Sequence, residues 1–458
     1  MMRHFNQRIH LVGIGGAGMS GLAELLHSYG HTVTGSDRAQ SGAADRLKSL
    51  GISVQTGHSP DLVKNAQLLI YSSAIRTDNP ERVYAREHRI AELRRADALG
   101  QIMQSFTTVC IAGTHGKTTT TSLVGAIMAE AKLKPTVLVG GTLRAQNAPV
   151  IVGESTLMVA EADEFDRSFL AMYPTIAVIT NIEADHLDCY TDLDDIKNAF
   201  AAFAGRVPFY GAIVCCGDDK GVRDIMPRFE RKCVTYGVCP GADYTARNIE
   251  FTDGKASFDA EQRGAPLGRI TLSIPGMHNV VNALGALAAA TEMDVSFKAA
   301  QRALARFAGV KRRFEVVGRE RGVTVIDDYA HHPGEIRATL DAARRSGFKR
   351  IVAVFQPHLF TRTRDFLDDF AAGLSGADMV IVTDIYRARE EPIPGVNASA
   401  IVEKLRTLGH ADASYIARKE DIPQSIIKKV SKEDAVVFMG AGDITEIAPR
   451  LVEVLRHG

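Results

Sequence analysis

Short apolar runs alternate with amphipathic segments along almost the whole chain. Runs such as residues 351–355 have the length of a buried strand, and the segments between such runs repeat apolar residues at helical spacing. Strands that alternate with helices are typical of an α/β fold with parallel sheets. The longest apolar runs are far shorter than the ~20 residues of a membrane helix, so we expect no membrane partner.

The pattern divides the chain into three blocks, which we predict to be domains of residues 1–104, 105–312 and 313–458. Three domains suit 458 residues, because a domain holds ~150 residues on average. In the first block, a charged stretch at 81–99 predicts a helix. The predicted strands of the other two blocks are 107–112, 157–160, 176–180, 212–215, 233–236, 323–326, 351–355, 379–383 and 435–439.

A glycine-rich turn lies near the N-terminus, between an apolar strand and a segment with helical spacing. Gly13, Gly15 and Gly18 fit the pattern G-x-G-x-x-G, whose backbone N–H groups approach a phosphate at a helix N-terminus. Gly15, Gly16 and Gly18 are therefore candidate phosphate contacts. Asp37, after the next strand, lies where an acidic residue often meets a ribose hydroxyl. The pattern fits a dinucleotide or another phosphate ligand, and glycines that serve only packing are an alternative.

A second glycine-rich loop opens the second block and predicts an ATP site. The strand 107–112 is followed by GTHGKTT and then by a helix. In such a loop, backbone N–H groups hold the phosphates, Lys117 neutralises charge and Thr118 can bind Mg²⁺. The spacing departs from G-x-x-x-x-G-K-[ST], because Ile111 stands where that pattern has its first glycine. The candidate residues of the loop are Gly113, Thr114, His115, Gly116, Lys117, Thr118 and Thr119.

Two further candidates follow predicted strands of the same block. Glu161 follows the strand 157–160, and His186 lies beyond the strand 176–180. Residues at the carboxyl ends of strands point into the ligand crevice of an α/β sheet, where a carboxylate can bind Mg²⁺. A lone histidine is usually structural, but the acidic neighbours of His186 favour a role in the site.

Composition excludes some classes of partner. Of the residues, 45% are apolar and 24% are charged, and the net charge is zero, so nothing indicates a nucleic-acid partner. The opening MMRHFNQ has no apolar signal core. Six cysteines occur without a CxxC pair, which is typical of reduced thiols. We expect a cytoplasmic protein, monomeric or homodimeric.

Taken together, the motifs resemble those of the Mur ligases, the ATP-dependent amide-forming enzymes of peptidoglycan precursor synthesis. The motifs that carry this resemblance are GTHGKTTT, EADE, TNIEADHLD, GMHNVVNALGA, GVKRRFE and DDYAHHPGEI. Others resemble the family members that join L-alanine to UDP-N-acetylmuramate: GIGGAGMSGLA, YSSAI, FQPHLFTRT, DIYRAREEPIPGV and FMGAGDI. The resemblance implies a Rossmann-like N-terminal domain, a central P-loop ATPase-like domain and a Rossmann-like C-terminal domain.

The resemblance also implies roles by position. Lys117 and Thr118 would bind the ATP phosphates and Mg²⁺, and Glu161 and His186 would hold a second metal ion. The residues that would contact the nucleotide from the adenine side or close over it are Asn279, Asn282, Arg313 and Asp328. The first block would bind the UDP-sugar, with Ser72 as a further contact beside Asp37. The residues that would deliver L-alanine are His331, His332, Arg362 and Arg364.

Alternatives remain open at this point. Residues 311–313 form a basic run that solvent alone would explain, and His331-His332-Pro333 could simply cap a helix. The three alternative functions are an NAD(P) oxidoreductase that uses the first glycine turn, a non-catalytic nucleotide switch, and a sister ligase that attaches a recycled tripeptide. The ligase reading predicts an acyl-phosphate route, because the lysine loop presents the β- and γ-phosphates.

Overall fold

The structure is a computed structural model that describes residues 6–143, 148–186, 189–252, 254–388 and 390–457. Leu187 and Asp188 of the motif around His186, and Arg389 of DIYRAREEPIPGV, lie outside the described residues. The described residues form three β-sheets. The chain forms two compact units, Met1–Arg247 with Asp259–Ile270 and Val281–Arg306, and Asn248–Phe258 with Thr271–Val280 and Phe307–Gly458.

The first sheet has five parallel strands. Its strands and helices are β1 (Arg8–Val12), α1 (Ala17–Ser28), β2 (Thr32–Asp37), α2 (Gly42–Ser49), β3 (Ser53–Thr56), β4 (Leu68–Tyr71), α3 (Pro80–Glu87), β5 (Ala91–Arg94) and α4 (Arg95–Met103). The order β3-β2-β1-β4-β5 confirms the Rossmann-like prediction. The helix predicted at 81–99 is wrong in its middle, because β5 pairs there with β4.

The second sheet has ten strands and confirms the predicted P-loop-like strand–loop–helix. Its elements are β6 (Thr107–Ala112), α5 (Lys117–Glu130), β7 (Thr136–Leu143), β8 (Ala148–Ile151), β9 (Leu157–Glu161), β10 (Ile176–Ile179), α6 (Leu193–Ala204), β11 (Ala212–Cys216), α7 (Lys220–Ile225), β12 (Lys232–Gly237), β13 (Tyr244–Thr252), β14 (Lys255–Gln262), β15 (Ala265–Leu272), α8 (Met277–Thr291) and α9 (Phe297–Arg306). The order is β15-β14-β13-β12-β11-β10-β6-β9-β7-β8. Because β6 lies between β9 and β10 and all three are parallel, the segments after them meet at one edge.

The third sheet has six strands. Its strands and helices are β16 (Glu315–Glu320), β17 (Val323–Asp328), α10 (Pro333–Arg345), β18 (Arg350–Phe355), α11 (Phe360–Asp365), α12 (Leu367–Leu374), β19 (Met379–Val382), α13 (Ser399–Thr407), β20 (Ala413–Tyr415), α14 (Ile422–Ile426), β21 (Asp434–Met439) and α15 (Ile447–His457). The strand order is β16-β17-β21-β18-β19-β20, and the edge strand β16 is antiparallel to β17 whereas the other neighbours are parallel. Ala353 and Phe355 enter one core, whereas Val352 and Val354 enter the core on the other face. Both faces are covered, which explains why the strand is apolar throughout.

Shorter 3₁₀ helices complete the described chain, at Pro60–Leu62, Phe165–Ala171, Met226–Arg228, Lys419–Asp421 and Asp443–Glu446. None of the helices in the described part of the chain has both the length and the apolar character needed to cross a bilayer. The predicted boundaries near 104 and 312 fall between the sheets. The exact division into domains stays a prediction.

Candidate active site

The loop between β6 and α5 depends on two glycines with left-handed backbone conformations. Gly113 has φ +143° and Gly116 has φ +82°. A Cβ atom added to Gly113 would lie 1.9 Å from Thr180 Oγ1, and one added to Gly116 would lie 2.7 Å from Asn282 Oδ1. Both positions therefore require glycine, for the backbone conformation and for the close approach of a neighbour. Asn282, predicted to contact the nucleotide, lies directly against this loop.

Residues after β10 brace the loop from the side. The His115 backbone N–H donates to Asn181 Oδ1 at 2.8 Å, and Thr180 Oγ1 donates to the His115 carbonyl at 2.6 Å. The Glu183 backbone N–H donates to Thr114 Oγ1 at 2.9 Å. The loop thus keeps its shape through side chains that lie far away in sequence. The sequence reasoning did not assign these roles to Thr180 and Asn181, although both directly follow an apolar strand.

Lys117, the predicted phosphate ligand, lies at the first position of α5 with its ammonium group held in the loop. Nζ donates to the carbonyls of Gly113 at 2.7 Å and Thr114 at 3.2 Å, and to both carboxylate oxygens of Glu164 at 2.9 and 2.8 Å. Burial acts to lower the pKa of Lys117, but the negative charges of Glu164, Asp163 and Glu161 outweigh burial and raise that pKa. The lysine is therefore charged throughout the neutral pH range.

Glu164 is a central site residue that the sequence reasoning left without a role. Its side chain is only 3% exposed and forms the ion pair with Lys117. Burial raises the pKa of Glu164 to about 7, with Lys117 opposing this and Asp163 adding to it. The Tyr190 hydroxyl donates to the Glu164 backbone carbonyl at 2.7 Å. The only signal in the sequence was its place in EADE, three residues after Glu161.

The predicted metal ligands fall into two groups. Thr118 Oγ1 donates to Glu161 Oε2 at 2.9 Å, and the Gly140 backbone N–H donates to the same oxygen at 2.8 Å. His186 instead lies with Asp163 and Glu164, and the potential ligand atoms of these three residues are all within 4.8 Å of one another. Hydroxyl and carboxylate oxygens are donors that suit Mg²⁺, so both groups fit a divalent cation. Thr119 is buried in the same turn of α5.

His186 also carries backbone strain, which is a mark of functional sites. Its φ is +54°, an uncommon conformation for a residue other than glycine. The ring packs edge-on against Phe165, with the ring centroids 5.2 Å apart. In the same 3₁₀ segment as Phe165, Asp166 and Arg167 also have positive φ values of +53° and +52°. Three residues with positive φ thus lie in or next to the segments that carry Asp163, Glu164 and His186.

The glycine turn after β1 is tied to the end of β2. The backbone N–H groups of Gly13 and Ile14 donate to the Ser36 carbonyl at 2.8 and 3.1 Å, and the Gly15 N–H donates to Asp37 Oδ2 at 2.8 Å. Asp37 therefore braces the turn, a role that the sequence did not reveal. Gly16 caps α1 without a side-chain hydrogen bond.

A cavity of about 330 Å³ lies between the first and second sheets. Gly16, Gly18 and Ser72 line it from the first sheet, and Glu161 and Asp163 line it from the second. The structure thus places the first glycine turn and the carboxylates at the end of β9 around a shared space within one compact unit. A ligand held by the glycine turn can extend toward these carboxylates.

Asn279, Arg313 and Asp328, which are predicted to contact the nucleotide or close over it, belong to the second compact unit. Asp328 accepts from the backbone N–H groups of Phe314 at 2.7 Å and Ala330 at 2.8 Å. Burial raises the pKa of Asp328 to about 6, although the charge of Arg313 lowers it. Arg313 donates to Glu335 Oε1 at 3.2 Å. Asn279 donates from Nδ2 to the Pro275 carbonyl at 2.6 Å.

The basic run at 311–313 is not simply solvated. The Arg312 guanidinium donates to the carbonyls of Gly440 and Gly442, the latter at 3.2 Å, and it stacks over Tyr329 at 4.9 Å. Arg313 also lies over the ring of Tyr329, at 5.2 Å. Both arginines are therefore held in place, and the reading of this run as a solvated surface is wrong for them.

The four residues predicted to bind the amino acid do not all behave alike. His332 caps α10 through Nδ1, which confirms the capping interpretation for that residue. The His331 ring packs edge-on against His358 with centroids 5.8 Å apart, and Arg362 Nη1 lies 3.4 Å from His358 Nδ1. Arg364 forms an exposed pair with its neighbour Asp365. His331 and Arg362 thus meet at His358, which sequence reasoning missed, whereas Arg364 points to its own neighbour.

Comparison with known proteins gives consistent matches along the chain. Three family models match: "Mur ligase family, catalytic domain" over residues 8–107, "Mur ligase middle domain" over 111–290, and "Mur ligase, glutamate ligase domain" over 312–442. A UDP-N-acetylmuramate–L-alanine ligase of Sorangium cellulosum is 50% identical over 97% of this chain and 95% of its own length. A ligase of the same name from Salinibacter ruber is 45% identical over 98% of this chain and 95% of its own length.

Solved structures give the same picture. The UDP-N-acetylmuramate–alanine ligase MurC of Thermotoga maritima superimposes with a TM-score of 0.83 at 31% identity, over 98% of each chain. A murein peptide ligase of Psychrobacter arcticus superimposes with a TM-score of 0.71 at 26% identity, over 99% of each chain.

Proposed function

The chain belongs to the Mur ligase family, and on that premise we propose that it joins L-alanine to the carboxylate of UDP-N-acetylmuramate. ATP is the second substrate, ADP and phosphate are the other products, and the reaction serves peptidoglycan precursor synthesis. The observation that carries this proposal is the cavity shared by the glycine turn of the first sheet and the carboxylates of the second. We place the reaction in the cytoplasm, where ATP is available.

Activation of the carboxylate is the first chemical step. A muramic carboxylate oxygen attacks the γ-phosphorus of ATP, the bond to the β–γ bridging oxygen breaks, and an acyl phosphate and ADP form. Lys117 is the residue for this step, because its permanent charge lies at the N-terminus of α5, where phosphates bind. The braced backbone of 113–116 holds the phosphates in one orientation, so little reorganisation is needed during transfer.

The two oxygen-rich groups of the second sheet are the proposed Mg²⁺ sites. Thr118 and Glu161 would hold one ion, and Asp163, Glu164 and His186 would hold the other. Mg²⁺ bound there supplies positive charge that offsets the charge of the transferring phosphate. Glu164 would then exchange its pairing with Lys117 for a metal ion, which frees the ammonium group for phosphate.

The acceptor lies on the first sheet and the amino acid on the second compact unit. Gly15, Gly16 and the N-terminus of α1 would bind the pyrophosphate of the UDP-sugar, with Ser72 beside it. Arg362 is the stronger candidate for the α-carboxylate of L-alanine, because it is buried and shares the neighbour His358 with His331, whereas Arg364 is exposed. The alanine amine then attacks the acyl phosphate, and inorganic phosphate leaves.

A panel of substrates tests the proposal. Phosphate release would be measured with UDP-N-acetylmuramate and each of L-alanine, L-serine, glycine and the tripeptide L-alanyl-γ-D-glutamyl-meso-diaminopimelate. We expect the highest kcat/KM with L-alanine. Turnover with the tripeptide alone would favour the sister ligase, and amino-acid-independent hydrolysis would favour a nucleotide switch. A melting-temperature increase with NADH but none with the UDP-sugar would favour an oxidoreductase.

Oxygen labelling tests the acyl-phosphate route. With both oxygens of the muramic carboxylate labelled, one label should appear in inorganic phosphate and the other should stay in the new amide. Label in AMP would mean an acyl-adenylate, and the role given to Lys117 would be wrong.

A further inference from the structure

Arg95 is a cation at the carboxyl edge of the first sheet. It is the first residue of α4 and directly follows β5. In the strand register, Val12 pairs with Tyr71, and Tyr71 pairs with Arg94. The chain therefore leaves β1, β4 and β5 at the same level, so the glycine turn, Ser72 and Arg95 all begin at one edge. Arg95 lines the same cavity as Gly16 and Gly18.

The Arg95 guanidinium packs against the first turn of α1. A Cβ atom added to Gly18 would lie 2.9 Å from Arg95 Nη1 and 3.1 Å from Arg95 Cζ. The guanidinium thus occupies the space that a side chain at position 18 would need. The third glycine of G-x-G-x-x-G therefore has a specific reason in this chain, which is to leave room for a cation beside the helix N-terminus.

Two positive groups meet at this point, in a cavity whose carboxylates, Glu161 and Asp163, make no hydrogen bond with the described Arg95 guanidinium. The N-terminus of α1 carries partial positive charge, and its first turn contains no acidic residue. Among the residues that the structure describes, none accepts a hydrogen bond from the Arg95 guanidinium. The neighbouring Arg94, by contrast, donates to Asp97 at 2.9 Å, and Arg82 donates to Glu92 at 2.7 Å. An anion in the cavity would satisfy both positive groups.

We propose that Arg95 is a substrate-binding residue whose guanidinium hydrogen-bonds the pyrophosphate of the UDP-sugar. The pyrophosphate lies between Arg95 and the N-terminus of α1, and the planar guanidinium contacts two of its oxygens. This assignment rests on the proposed function, because it takes the UDP-sugar as the ligand of the first sheet. It assigns the contact to the pyrophosphate because the guanidinium lies over Gly18, in the turn of α1 that binds phosphate.

Shortening the ligand tests the contact directly. Isothermal titration would compare UDP with uridine for the wild-type enzyme and for R95A, R95K and R94A. R95A should weaken UDP binding by roughly 10- to 100-fold, as for the loss of charge-assisted hydrogen bonds, and should change uridine binding less than about threefold. R95K should lie in between, because lysine keeps the charge but not the two-oxygen contact. R94A is the matched control and should stay within about threefold for UDP, since Asp97 already holds that guanidinium.

Each other outcome overturns the assignment. Equal losses for UDP and uridine in R95A would mean that Arg95 only shapes the pocket. Unchanged UDP affinity in R95A would mean that Arg95 does not contact the ligand. If R94A weakened UDP binding as much as R95A does, the effect would come from the net positive charge of the region and not from a contact of Arg95. If R95A fails to fold, the UDP affinity of R95K tests the assignment instead. A UDP affinity of R95K equal to that of the wild type would refute the contact with two oxygens. A wild-type enzyme that binds ATP but neither UDP nor UDP-N-acetylmuramate would refute the proposed function and this inference together.

Discussion

Replacing Lys117 with methionine should destabilise the nucleotide-free protein as well as stop the reaction. The ammonium group is the partner of the buried carboxylate of Glu164 and donates to two loop carbonyls as well. Methionine keeps the length of the side chain and removes the charge. Glu164, with 3% of its side chain exposed, would then lack the ammonium group with which it pairs. The phosphates would lose their lysine at the same time.

The size of the effect follows from the burial of the pair. Removing one partner of a buried ion pair costs roughly 3–5 kcal/mol. Because the pKa of Glu164 is about 7, this carboxyl can take up a proton at little cost near neutral pH, so the loss should lie at the lower end of that range. We therefore expect K117M to lose about 3 kcal/mol of unfolding free energy. In K117M/E164Q both charges are absent, and the loss should fall to about 1 kcal/mol.

Urea unfolding of the wild type, K117M, E164Q and K117M/E164Q gives the coupling energy of the pair. We expect at least about 2 kcal/mol, because the loss in E164Q adds to the difference between K117M and the double variant. K197M is the matched control, because Lys197 pairs with Asp224 near the surface and should lose less than about 1 kcal/mol. Turnover of K117M should fall by at least about 10³-fold. Additive losses in the double variant would refute the buried-pair reasoning. Turnover of K117M within tenfold of the wild type would refute the phosphate role.

Three further predictions follow from single contacts. G113A should lose at least about 100-fold in turnover while still binding the UDP-sugar, since its Cβ would lie 1.9 Å from Thr180 Oγ1, whereas G51A, with open space around it, should keep full turnover. E161Q should raise the Mg²⁺ concentration for half-maximal turnover by at least about tenfold, and an unchanged Mg²⁺ titration would contradict the ligand role. Burial raises the pKa of Asp328 to about 6 from 3.8, so the folded form keeps a proton that the unfolded form loses, and stability falls as pH rises between these values. D328N should flatten that part of a urea-unfolding pH series, and an identical slope would count against it.

The buried strands were the predictable part of the fold. The strand predicted at 107–112 is β6, and the one predicted at 435–439 is β21 with one added residue. Parallel strands that are covered on both faces must be apolar throughout, so their sequences stand out. The strand β5 was not predicted, because it is a four-residue edge strand with the sequence AELR. Pairing with β4, rather than local propensity, determines its extended conformation. The strands β13–β15 were not predicted, because they are half-exposed and lack a continuous apolar run.

The residues of the site divide in the same way. The loop around Lys117 could be predicted because all its chemistry is local to one strand, one turn and one helix. The partners of that loop could not, because Glu164 is 47 positions from Lys117 and Asn181 is 66 positions from His115. The role of Arg95 could not be predicted for the same reason, since its contact with Gly18 depends on the position of β5 in the sheet. Contacts between distant positions leave no periodic trace in one sequence.

The charges around the shared cavity bear on why the proposed reaction would require a metal ion. Glu161 and Asp163 line the cavity that also contains Gly16 and Gly18. In the proposed reaction a carboxylate approaches a triphosphate in this space, so the protein carboxylates alone would repel both substrates. Lys117 offsets one charge, and Arg95 offsets charge at the far end, beside the pyrophosphate. The negative charge between Lys117 and Arg95 would be offset by cations that the carboxylates bind. Hydroxyl and carboxylate oxygens are the ligands that Mg²⁺ prefers. We infer that the acidic residues serve the anionic substrates only through bound Mg²⁺, which makes the metal part of substrate recognition as well as of phosphoryl transfer.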